Sequence, residues 1–195
     1  IDWFGRFLPV GFYYRAFYKP FGVWHWWERM IRKAAGLGVA NLSATARYQD
    51  KQYLFCHVAV VGAGPAGLSA ALKAAEGGAS VLLIDEQPEL GGSLTYHRFA
   101  IDGSEARSEA ERLIANVASH PLIKVLTHAL CNGWFTDHYL PVIQGDRLFK
   151  VRAKSCVLAT GCCEQHVVFR NNDLPGVVLC SALERLLNHY AVAPK

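Results

Sequence analysis

The spacing of apolar residues changes abruptly at His57. From there, short β-branched runs alternate with stretches rich in Ala and Leu. Residues 57–61 and 80–84 are continuous apolar runs too short for helices, as strands buried on both faces require. Between them residues 65–76 read as a helix, with Pro65 in its first turn and Gly77-Gly78 behind it. Strand, helix and strand make one βαβ unit of about thirty residues. Asp102 with Glu105 resembles a capping box, which predicts a helix from there to Ala118. Residues 123–127 form a further strand. Residues 130–135, 139–144 and 147–152 alternate more weakly and predict a meander, with Gly145-Asp146 as the tight turn between its last two strands. Residues 155–159 are again a buried run, and a last helix is expected over 181–190.

Ahead of His57 the pattern is aromatic rather than periodic. Residues 1–55 hold 15 of the 23 Phe, Trp and Tyr, so large rings are concentrated in the first quarter of the chain. A helix is expected over 24–35, stopped by Gly36, followed by a polar linker over 36–53. Rings with Arg15, Lys19, Arg29, Arg32 and Lys33 could lie on a membrane surface. Gly11, Pro20 and Gly22 interrupt the long amphipathic helix that would need, so packing against a neighbouring domain or subunit is the preferred reading. The expected organisation is an aromatic docking segment with its linker over 1–55, and an α/β domain over 56–195 that is incomplete at its C-terminus.

Charge and cysteine usage narrow the partners. The formal net charge is only +4, too small to announce nucleic-acid binding, and no apolar run is long enough to span a membrane. The 6 cysteines include no C-x-x-C pair, and with the His residues they make no zinc spacing, so no metal is expected. Cysteines within apolar runs and the lack of a leader pattern suggest a reducing, cytoplasmic setting.

The chemistry is carried by Gly62-Ala63-Gly64-Pro65-Ala66-Gly67, which fits G-x-G-x-x-G. It follows a strand, opens a helix, and an acid ends the next strand at the expected distance, the contexts of a dinucleotide-binding Rossmann-like unit. Gly62 turns the chain off the strand, Gly64 lets a pyrophosphate approach, and Gly67 lets the helix lie close to the sheet. Pro65 is tolerated in the first turn, where its missing N–H costs nothing, and the free N–H groups of the helix start, Ala66 among them, are expected to face the phosphates. A β-branched residue at Gly64 is expected to occupy the pyrophosphate's place and also to resist the backbone conformation. Asp85 is expected to hold an adenosine ribose, with Glu86 as the second candidate. No Arg or Lys follows to meet a 2′-phosphate, which disfavours NADP. FAD and NAD share this fingerprint, so spacing leaves both open. No residue is assigned a catalytic role. Cys162-Cys163 is unsuited to a redox bridge, because adjacent cysteines rarely meet disulfide geometry.

Gly91-Gly92 and the Ala159-Thr160-Gly161 turn resemble elements of two-dinucleotide flavoprotein folds. More specifically, FGRFLPVGFYYRAFYKP, VVGAGPAGLSAALKAAEGGASVLLIDEQPELGGSL, VLATGCCEQHVVFRNNDLPGVVL and LNHYAVAPK together resemble the α subunits of heterotetrameric sarcosine oxidases and related amino-acid dehydrogenases and oxidases. The resemblance implies a piece of a longer subunit. It implies NAD held without turnover by Gly62, Gly64, Gly67, Asp85, Gly92, Thr160 and Gly161, with FMN or FAD in a partner subunit where the amine is oxidised. Other oxidase subunits and a small amine are then the partners. The family's turn continues Ala-x-Glu-Arg-Pro; here Cys162-Cys163-Glu164-Gln165-His166 keeps only the Glu, which leaves open which amine the complex oxidises. Two alternatives stand: a self-contained FAD-dependent NAD(P)H oxidoreductase, and a non-catalytic scaffold stabilised by its nucleotide.

Overall fold

A computed structural model describes residues 20–36, 38, 41–44, 48, 50–98, 100–101 and 104–193. The chain divides into two compact units, Ile1–Arg47 and Tyr48–Lys195. In the first, α1 (Trp24–Ala34) ends on an Ala35 N–H bonded to the Ile31 carbonyl, one residue short of the predicted end. Most of the aromatic lead-in lies outside the described residues.

The second unit is the expected α/β fold with a parallel sheet and a meander. Its strands are β1 (Asp50–Val61), β2 (Val81–Ile84), a small β3–β4 ribbon (Ala100–Ile101, Ser104–Glu105), β5 (Ile123–Leu126), β6 (Ala129–Cys131), β7 (Tyr139–Gln144) and β8 (Arg147–Leu158). The main sheet runs β5-β2-β1-β8-β7-β6. The first four strands are parallel neighbours, and β8, β7 and β6 pair antiparallel. Helices α2 (Pro65–Glu76) and α3 (Ala106–Ser119) cover one face of the sheet. They bury Leu68, Ala71, Ala75, Ala110, Leu113 and Val117 against Val60, Val81 and Leu83. The meander curls across the other face, where Leu140, Val142, Phe149 and Val151 pack on Ala59, Leu82 and Ile84. A sheet with a core on both faces explains why all four residues of β2 are buried and why that strand carries no polar alternation.

Elements depart from the sequence pattern at three places, the first two because of a distant partner. β1 starts at Asp50, inside the expected linker, because residues 50–56 pair in register with the first half of β8. Asp50 meets Arg147 at 3.1 Å, and the Lys150 ammonium lies 5.1 Å from the Tyr53 ring centre. The two strands expected over 147–152 and 155–159 are one, since β1 supports β8 throughout. Both strands change parity midway. The N–H groups of His57 and Val58 donate to the same Ser80 carbonyl, a bulge that moves the residues facing the meander core from Leu54 and Cys56 to Ala59 and Val61. The third departure is at the predicted capping box. Asp102 lies outside the described residues, Glu105 ends β4, and α3 begins only at Ala106.

Candidate nucleotide-binding site

All the parallel strands deliver their C-terminal ends to one edge, and the glycine loop sits there. Gly62 leaves β1 with φ +103°, a left-handed conformation that favours glycine, and a Cβ would collide with the Ala159 carbonyl. A Cβ on Gly67 would collide with the Gly62 carbonyl oxygen. Loop, first helical turn and end of β8 are therefore in backbone contact. Gly64 differs. Its φ of −71° and ψ of −176° are ordinary extended values, and a Cβ there would meet nothing within 4 Å. The strain expected for a β-branched residue at Gly64 is absent, because the sharp turn is made at Gly62. Gly64 is the N-cap of α2 and offers no side-chain cap, with Pro65 at the helix start and Ala66 exposed behind it.

Asp85 follows β2 and is bound by backbone amides. One carboxylate oxygen accepts from the Ala63 N–H and the other from the Gln87 N–H at 2.8 Å. Asp85 therefore braces the glycine loop from the neighbouring strand, a role that the sequence pattern did not disclose. Glu86 is exposed, and its carboxylate accepts from the Gln87 side-chain amide at 3.4 Å. The Ala63 carbonyl accepts from the Gly91 N–H at 2.8 Å. Ala63 thus ties the loop to both neighbours through its backbone, and a contact made by backbone groups leaves no trace in a motif. Gly91 (φ +109°) and Gly92 (φ +54°) swing the chain under the loop, where a Cβ on Gly92 would lie 2.8 Å from the Gly64 Cα. The Thr95 hydroxyl donates to the Gly92 carbonyl at 2.8 Å and closes this turn.

The end of β8 completes the edge. The Ala159 N–H donates to the Val61 carbonyl at 2.7 Å, which sets the exposed Thr160 and Gly161 beside Gly62. Glu164 does not join this loop; its carboxylate accepts from the N–H and hydroxyl of Ser181, at 2.7 and 2.5 Å, in the first turn of α4 (Cys180–Asn188). Those bonds, with a smaller contribution from His166, hold its carboxyl below the ordinary range. Among the described residues no group of three or more His, Cys, Asp or Glu could hold a metal ion.

All six cysteines are free thiols. Burial pushes Cys56 up to about 11 and raises Cys131 and Cys156 as well. Cys162, Cys163 and Cys180 are exposed. Since the thiolate is the nucleophile, titration with a disulfide reagent at pH 8 should label Cys162, Cys163 and Cys180 in a fast phase. Cys56 should follow slowly, about tenfold faster for each pH unit below its raised value. Equal labelling of all six thiols would contradict this burial.

The edge fits a dinucleotide's pyrophosphate. It presents the uncapped N-terminus of a 12-residue helix, a glycine with empty space at its Cβ position, and a second glycine pair beneath. The positive helix end and its free N–H groups suit two linked phosphates.

Comparison with known proteins agrees with this architecture. The family model described as FAD dependent oxidoreductase matches residues 57–164, more than half of the chain. Sarcosine oxidase subunit alpha of Rhizobium meliloti (strain 1021) is 38% identical over 206 residues, covering 96% of this chain and 21% of the relative. The subunit of the same name from Corynebacterium sp. (strain P-1) is 37% identical, covering 80% of this chain and 18% of the relative. The chain thus spans about a fifth of the length of these relatives. The crystal structure of L-proline dehydrogenase from P. horikoshii superposes with a TM-score of 0.66 at 30% identity, over 78% of this chain and 32% of that one.

Proposed function

The chain belongs to the FAD dependent oxidoreductase family, and from that premise we propose that it is the dinucleotide-binding portion of the α subunit of a multi-subunit, flavin-dependent amine oxidoreductase. The proposed reaction of the complex is oxidative demethylation of sarcosine to glycine, formaldehyde and hydrogen peroxide. The similarity of 96% of the chain to a sarcosine oxidase α subunit carries this reading. The proposed partners are the other subunits of a cytoplasmic hetero-oligomer, one of which holds the FMN or FAD that meets the amine. Of the docking segment and linker expected over 1–55, residues 50–55 belong to β1, and the aromatic lead-in before them is the part proposed to dock on a neighbour.

In this reading Gly62, Gly64, Pro65, Ala66 and Gly67 receive the pyrophosphate. Asp85, with Glu86 beside it, faces the adenosine ribose, and Gly92, Thr160 and Gly161 close the site. The proposed dinucleotide is NAD, held without turnover. FAD is the second reading, and the family match favours it; bound there, it would supply an electron acceptor. The residues named bind and orient; none of them is placed to move a proton. Denaturing the purified complete subunit distinguishes the two. Release of NAD from a colourless protein is expected, and a flavin absorption band that travels with this chain decides for FAD.

The substrate is tested by oxygen uptake of the complete hetero-oligomer with sarcosine, proline and hydroxyproline in turn. Sarcosine-dependent uptake with peroxide is expected, and uptake with proline or hydroxyproline alone reassigns the substrate. Residues 1–195 by themselves should consume no oxygen with any of the three. Asp85→Ala should weaken nucleotide binding by about 1.5–3 kcal/mol, because it removes a charged acceptor and frees the Ala63 amide. NAD should bind wild-type protein more tightly than NADP, since Asp85, Glu86 and Glu89 repel a 2′-phosphate. Calorimetric titration of both nucleotides checks this, and a preference for NADP would remove Asp85 from the ribose.

A further inference from the structure

The segment after β8 is held in an unusual way. Residues 160–171 are all exposed, and α4 buries none of its 9 residues. A helix that short is marginal in water on its own. Among the described residues, four polar contacts hold it. Glu164 takes the N–H and hydroxyl of Ser181 at the start of α4. Farther along, the Glu184 carboxylate lies 2.6 Å from the His97 ring nitrogen. The Arg185 guanidinium stands 5.4 Å from the Tyr96 ring centre, and the Asn188 amide donates to the Tyr96 carbonyl at 2.7 Å.

These contacts close a ring that begins and ends at the glycine loop. Tyr96 directly follows the turn of Gly92 to Thr95, which lies against Gly64. Glu164 follows the turn after β8, where Ala159 lies against Gly62. α4 therefore joins the two flanks of the site by a second route, independent of the sheet. From this ring we propose that Glu164 is a positioning residue for the bound dinucleotide: by fastening the start of α4 it keeps a strap closed across the site, so that retention of the nucleotide depends on a side chain outside the binding loop. The proposal rests on the nucleotide reading of the site. It assigns Glu164 no contact with the ligand. The asymmetry of the ring explains the choice of residue: three contacts hold the middle and far end of α4, and among the described residues Glu164 alone reaches its start.

The test uses the complete subunit loaded with its dinucleotide and compares wild type, Glu164→Ala and Glu164→Gln. Nucleotide release after rapid dilution is followed by analysis of the filtrate, and hydrogen exchange is followed at amides 181–188. Glu164→Ala should release nucleotide at least tenfold faster and lose protection at those amides. Glu164→Gln keeps a carbonyl acceptor and should fall between the two. Glu184→Ala, which removes one of the three contacts at the other side of the strap, should speed release in the same direction. Unchanged release from loaded Glu164→Ala overturns the strap while leaving the site in place, and so does unchanged protection of α4. Wild-type subunit that carries no dinucleotide and takes up neither NAD nor FAD overturns the site reading, and the retention role falls with it.

Discussion

Gly67→Ala is expected to destabilise the α/β unit by on the order of 3 kcal/mol, although it adds a single methyl group. That methyl would lie on the Gly62 carbonyl oxygen, so the first turn of α2 would have to lift from the loop. The oxygen belongs to the backbone and cannot rotate aside. Gly62 is pinned in turn by its N–H bond to the Ile84 carbonyl at 2.8 Å and by the end of β8. The loss is a large share of the roughly 5–15 kcal/mol that separates folded from unfolded domains. For a unit of this size it lowers the melting temperature by roughly 6–12 °C. Thermal unfolding of nucleotide-free protein reads it directly. A midpoint within about 2 °C of wild type would mean that the helix does not sit against the strand as described.

Gly64→Val should do the opposite: leave the fold standing and empty the site. The backbone at Gly64 is extended and open, and valine adopts such a conformation readily. The structural cost is that of a poorer N-cap, about 1 kcal/mol. Outside the chain, the isopropyl group fills the space at the uncapped N-terminus of α2. A pyrophosphate kept out of that space loses two or more charge-assisted hydrogen bonds to backbone N–H groups, each worth about 1.5–3 kcal/mol. Affinity should fall roughly 100- to 10,000-fold. Equilibrium dialysis with the proposed nucleotides, beside a melting curve of apo protein, separates the two effects. Full nucleotide occupancy in folded Gly64→Val would place the ligand elsewhere. Two glycines three residues apart thus should fail in different ways, one through the fold and one through the ligand.

Much of the fold was legible because its signals are local. Continuous apolar runs marked β2 and the second half of β1, and Gly145-Asp146 marked the β7–β8 turn. Pro65 and Gly77 lie at the two ends of α2, within a residue of where the pattern put them. The glycine spacing located the loop for the same reason, since each position answers to a backbone demand within a few residues. The start of β1 was not legible. Residues 50–56 alternate weakly, and it is pairing with β8, almost a hundred residues away, that makes them a strand. The merging of two predicted strands into β8 has the same cause.

Within the candidate site the division is similar. Sequence alone determined that strand, glycine loop, helix and acid follow one another at dinucleotide spacing, because chain geometry over thirty residues leaves few other uses for that order. Tertiary structure decided which glycine is indispensable to the fold and which is free to face a ligand. It also decided that Asp85 braces Ala63 and that Ala63, Gly91 and Gly92 belong to one turn. It also set the Ser181 N–H and hydroxyl on the Glu164 carboxylate. None of these contacts has a local signature, because backbone amides and carbonyls are the same at every residue, and only the folded sheet determines which of them meet.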